Sequence, residues 1–393
     1  NGSYACGALS LATGDTVTIN APTPATITVT GTMAINGAKI NQAGSAANVT
    51  FNVSAGFTAS AGAVVNANIT ANTISSSGAA SYGGSLSTPG AGAITIGAGS
   101  TVAGSVQSTT GAITLLTGTA SAYTTVGQIV SGGTVAINAY NSVTGDTIGY
   151  LVSAAGHNSF GGLIKSTSTY VSLGGYATVG GSIVSQTYVD TGSYSVINGS
   201  ITSNTTYIDT GIGTSIGGSL TSASYVDIHS NATVGGSITA QTYISMTTNS
   251  KVSGSITAKT TIAMGSGSSV TQCVRSTNSN TIVVPSASAV GGACCGSGST
   301  CGNSCVTGTP KPPACSPPLD HLVIQHASGK GLTCSPATVT ITACADSSCS
   351  ALYSGGVSGT LTASGAGMAV GFPTGSTFTI ASGSTSTTLG VQG

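Results

Sequence analysis

The sequence predicts an all-β chain: a parallel β-solenoid of about 18 residues per coil, then a Cys-rich disulfide neck and a C-terminal Ig-like β-sandwich. Three observations carry this reading. A glycine corner followed by an aliphatic residue recurs at steps of 18 or 19 residues, a Tyr-aliphatic pair recurs between its copies, and β-branched and Gly-rich segments lacking Glu, Lys and Leu have little helix preference. Among 393 residues Glu and Trp do not occur, and only 4% are charged. A surface so poor in charge does not hold molecules apart, which suits a secreted protein that packs into an assembly. It excludes a basic nucleic-acid binder.

The solenoid is assigned to residues 1–272. Its first phase runs through Ile164, Ile183, Ile201, Leu220, Ile238 and Ile256, each behind a corner such as Gly-Gly-Ser. The second runs through Val171, Val189, Ile208, Val226, Ile244 and Ile262. Two short strand phases per coil, stacked through hydrogen bonds at about 4.8 Å, give a rod of about 70 Å. The corner glycines are read as supplying backbone angles that a Cβ resists. Side chains alternate across a strand, so both aliphatic phases point inward and Tyr170, Tyr188, Tyr207, Tyr225 and Tyr243 form an outer ladder. Asp190, Asp209 and Asp227 stand two positions further on, on that same face. Upstream, residues 83–86, 103–106, 127–129 and 145–148 resemble the same corner, while 16–19, 26–30 and 49–53 are strand-like but off period, as capping coils often are.

Residues 273–318 read as a neck that crosslinks must hold, because proline and cysteine replace core material there. It carries Cys273, Cys294, Cys295, Cys301, Cys305 and Cys315; Cys6, Cys334, Cys344 and Cys349 complete ten. Paired C-x2-C knuckles are absent, which places disulfides ahead of zinc and the protein in an oxidising compartment. No apolar run is long enough for a membrane helix, and the chain reads as a mature export product whose signal peptide has been removed. From 319 to 393, alternating strands at 321–325, 337–343, 357–362, 376–380 and 387–391 predict the sandwich, which has fewer strands than an Ig-like module and is read either as incomplete, a piece of a longer protein, or as having an open edge that a neighbour's strand could fill. Residues 15–30 are the expected donor.

The stretch from Cys273 through residues 277–280 (Thr-Asn-Ser-Asn), the Cys294-Cys295 pair, Cys301, residues 307–313 and residues 319–324 resembles the MSHA-pilus biogenesis protein Q family. These are large secreted bacterial surface proteins associated with pilus loci and adhesion, and the resemblance covers the chain from Cys273 onward. Members of that family usually continue past the point where this sequence stops. The Val-Gly-Gly-Ser-Ile coils are similar to bactofilin repeats, which implies a tendency to polymerise end to end.

Chemical groups are few. A polysaccharide-active β-helix enzyme needs converging carboxylates, whereas this chain has seven Asp and one Arg, Arg275. In-register Asp190, Asp209 and Asp227 would repel one another, so the row binds cations (calcium being the candidate), pairs with a partner, or tolerates raised pKa values. His157, His229, His321 and His326 are read as surface or structural residues; no catalytic residue or resident cofactor is expected. The tyrosine ladder marks either a contact strip or cross-strand stacking that stiffens the rod. The expected function is a self-assembling extracellular filament or pilus-like fibre, with the chain itself as partner. Its alternatives are a monomeric adhesin that binds a glycan or a surface, and the less favoured enzyme.

Overall fold

The computed structural model of the protein describes residues 3–19, 23–278, 280–296, 303–308, 311–315, 319–326, 337–345, 347–350, 352–353, 356–362, 371–373, 375–381 and 384–392. Forty-one strands, from Ser3–Cys6 to Val306–Thr307, form one continuous stack of parallel pairs. It winds through about 15 turns of about 19 residues. Among the described residues the one helical turn is a 3-10 segment at Ala46–Asn48.

The predicted inward stripes are the core. Ile183, Ile201, Leu220, Ile238 and Ile256 pair in register from coil to coil and are fully buried. Val189, Ile208, Val226, Ile244 and Ile262 do the same on the second face. Each coil also has a third face, where two were expected. It runs through Val179, Ile197, Ile216, Val234, Val252 and Val270, all buried. From Thr178–Val179 to Lys251–Val252 its strands are two residues long and carry a single inward side chain per coil.

Of the three corners in each coil, two have residues chosen for opposite reasons. At the first, the Gly-Gly-Ser glycines are required by close approach of neighbouring coils and not by left-handed backbone. A Cβ on Gly181 would lie 2.6 Å from the carbonyl carbon of Gly162, and one on Gly218 2.7 Å from that of Gly199. The serines that follow tie the coils together: the Ser219 N–H donates to Ser200 Oγ at 3.0 Å, and the Ser237 N–H to Ser219 Oγ at 3.1 Å. Left-handed backbone sits at the second corner, on Tyr140, His157, Tyr176, Tyr194, Asn231 and Asn249, with φ of 59° to 60°. Each is followed by a buried small or polar residue, respectively Asn141, Asn158, Ala177, Ser195, Ala232 and Ser250.

A second row of serines is internal. Ser185 Oγ donates to the Thr169 carbonyl at 2.8 Å, Ser222 Oγ to that of Thr206 at 2.6 Å, and Ser276 Oγ to that of Thr260 at 2.6 Å. Buried hydroxyls that reach a carbonyl avoid the desolvation penalty and pin the coil at that point.

Four expectations are corrected. The solenoid does not stop at 272, because Val274, Ile282, Ala293 and Val306 continue the buried core and their strands continue the stack. The predicted neck therefore supplies the last coils, whose apolar residues are spaced out by cysteine and proline. Residues within 15–30 are not a free donor strand, since Thr16–Val17 and Ala25–Val29 are paired inside the solenoid's own first coils. At 145–148 the predicted phase is one residue late: Thr147 follows Val143 by the same four positions as Ile164 follows Phe160, pairs with Ile129 and Ile164 and is buried, while Ile148 takes the outward position. Cys6 is a free, exposed thiol on the first strand, at the far end of the stack from the cysteine-rich coils.

Disulfides join Cys273 to Cys315, Cys295 to Cys305 and Cys344 to Cys349, and Cys294 is also disulfide-bonded. Cys301 and Cys334 lie outside the described residues. Beyond the solenoid, His321–His326, Ala337–Cys344 and Ser386–Val391 form one antiparallel sheet, and Val357–Thr360 pairs with Thr377–Ile380 in a second. Val339, Ile341, Phe378, Ile380 and Leu389 from both sheets share one small apolar core.

Candidate functional site: the tyrosine and carboxylate face

The second face carries the chemical groups. Its strands Val189–Thr191, Ile208–Thr210 and Val226–Ile228 each hold two inward side chains and turn the middle residue outward. That middle residue is aspartate three times running, with Asp190 opposite Asp209 and Asp209 opposite Asp227. Immediately before these strands and their neighbours Val171–Leu173 and Ile244–Met246 stand the five tyrosines. Their rings stack in sequence: Tyr170 on Tyr188 at 4.7 Å, Tyr188 on Tyr207 at 5.0 Å, Tyr207 on Tyr225 at 4.9 Å and Tyr225 on Tyr243 at 4.8 Å. Planes differ by no more than 9°. The spacing is that of the coils, so the strand ladder dictates the stack.

Stacking decides what the ladder can offer. Inside the column each ring face is covered by the next ring, so a ligand meets edges and phenol groups rather than open π-faces. Burial raises the phenol pKa values of Tyr188, Tyr207, Tyr225 and Tyr243, and neighbouring charges add to it.

The carboxylates have a partner that sequence reasoning left aside. His229 Nε2 lies 3.1 Å from Asp209 Oδ1. Burial pushes all three aspartates above their ordinary value, and His229 opposes it. Asp209, in the middle, is raised further by Asp190 and Asp227.

A second aromatic column stands at the left-handed corner on the other side of this face. Tyr140, His157 and Tyr176 stack at 4.9 Å with 5° between planes, Tyr176 meets Tyr194 at 5.3 Å, and Tyr123 meets Tyr140 edge-on. Tyr194 closes the column over Gly213, whose added Cβ would lie 2.8 Å from the ring. His157 is thus a stacking residue. The signal for this column was the 17- to 19-residue spacing of Tyr140, His157, Tyr176 and Tyr194, obscured because Gly213, Asn231 and Asn249 follow them in the same corner.

His321, Cys344 and Cys349 bring their side-chain atoms within 4.8 Å of one another. Both sulfurs are already joined in a disulfide, and His321 Nδ1 contacts Asp320 Oδ1 at 2.8 Å. Arg275 lies in the strand Ser269–Ser276 of the stack. Among the described residues no helix is long and apolar enough to cross a membrane.

A family model described as a domain of unknown function, DUF8613, matches residues 319–392. No curated protein and no solved structure matches the chain.

Proposed function

We propose that this chain is a structural subunit of an extracellular filament or sheath, in which solenoid coils of successive molecules continue one another. The observation that carries this reading is the unbroken parallel stack of forty-one strands, in which columns of like residues repeat from coil to coil. Such a lattice grows by adding one more coil to a strand edge, and each added coil buries the apolar stripe of its neighbour. A chain with 4% charged residues and no net charge has a surface that lets copies pack closely. Disulfides are made and kept in oxidising compartments, which supports export.

The adhesin reading rests on the two aromatic columns and the aspartate row between them. Covered ring faces leave that strip to hydrogen bonding rather than sugar stacking, which favours the structural role. Sedimentation velocity over a concentration series tests the proposal: association that grows with concentration is expected, and one monomeric species throughout would overturn it.

A further inference from the structure

The tyrosine column places like atoms of neighbouring rings one above another. Centroids are 4.7 to 5.0 Å apart, planes are nearly parallel, and the backbone behind the rings is fixed by strand pairing in every coil. Each ortho carbon beside a phenol therefore has its counterpart one ring away. Tyr170, Tyr188, Tyr207 and Tyr225 are partly exposed, and Tyr243 is 37% exposed. Asp190, Asp209 and Asp227 project from the same face, and their charges are felt at the phenols.

From this geometry we infer that the column is a site of oxidative tyrosine coupling, at which hydrogen peroxide, used by a haem peroxidase, joins adjacent rings of one chain through their ortho carbons. Two phenols each lose one electron and one proton, and the nearby carboxylates are placed to accept the protons. The two tyrosyl radicals form one carbon–carbon bond, and each ring regains aromaticity as its ortho hydrogen moves to the phenol oxygen. Peroxide takes up the two electrons and two protons and leaves as two waters. The product is a covalent seam across successive coils. It goes beyond the filament proposal and does not depend on it, since both partners lie in one molecule.

The second column sharpens the inference. There His157 separates Tyr140 from Tyr176, and Tyr123 meets Tyr140 at 85°, so only Tyr176 and Tyr194 are stacked as a tyrosine pair. Tyr4 and Tyr150 are exposed, and neither takes part in a ring stack.

The test is treatment of dilute protein with a haem peroxidase and hydrogen peroxide, followed by dityrosine fluorescence and peptide mass spectrometry. Expected are intrachain links, each lacking two hydrogens, between Tyr170 and Tyr188, Tyr188 and Tyr207, Tyr207 and Tyr225, Tyr225 and Tyr243, and Tyr176 and Tyr194. Tyr207→Phe should remove the two links that use Tyr207 and keep the others. Tyr243→Phe, at the end of the column, removes one link and serves as the second variant if Tyr207→Phe unfolds. Absence of dityrosine, or links found only between chains or at Tyr4 and Tyr150, would overturn the inference.

Discussion

His229 reaches back one coil to place Nε2 3.1 Å from Asp209 Oδ1, the middle carboxylate of a row of three. The row is unfavourable when fully ionised, and the imidazole offsets part of that. Burial raises the aspartates above 3.8, so their protonated forms are favoured in the fold. Their contribution is complete below that value and is lost as pH rises through the raised one. Asp190→Asn should therefore stabilise the rod by about 0.5 kcal/mol at neutral pH, a size limited by solvent screening, and should leave stability unchanged in acid. Urea unfolding at the two pH values checks it.

Left-handed corners give a sharper contrast. Asn231 has φ of 60°, where Val is disfavoured and Gly is at ease. Asn231→Val should lower stability by about 1–2 kcal/mol and Asn231→Gly by less than about 0.5 kcal/mol, read from denaturant midpoints.

The Gly-Gly-Ser corners should respond the other way. Any Cβ at Gly218 meets Ser200 Oγ and lies 2.7 Å from the backbone of Gly199, so Gly218→Ala must spread two coils. A loss of about 1–3 kcal/mol is expected in the same assay.

These corners show how much was legible in the sequence. Inward columns such as Ile183, Ile201 and Leu220 were readable because every coil repeats the same constraint. The third face was not, because Val179 or Ile197 is a single inward residue set directly before the glycine corner, so its recurrence reads as part of that corner and not as a strand of its own. At the left-handed corner, Tyr, His, Asn and Gly all satisfy one backbone angle, so geometry repeats where identity does not. Cys294, Cys295 and Val306 pack as core in a stretch whose prolines and cysteines resemble a linker. The in-register Asp190, Asp209 and Asp227 were legible, whereas His229 was missed because contacts between coils ignore sequence adjacency.

The last coils depend on crosslinks for part of their stability. Reducing Cys273–Cys315 and Cys295–Cys305 should destabilise them by about 2–4 kcal/mol per bond. Hydrogen exchange should then quicken in Ala289–Cys295 and Val306–Thr307 while Ile201–Ser203 and Leu220–Ser222 stay protected.

The central claim is that coils of successive molecules continue one stack. Cryo-electron microscopy of the purified, oxidised protein tests it most directly. The account predicts unbranched fibres with an axial repeat of about 4.8 Å running unbroken through the joints between subunits. Separate rods of about 70 Å at every concentration, with no order from one to the next, would contradict it.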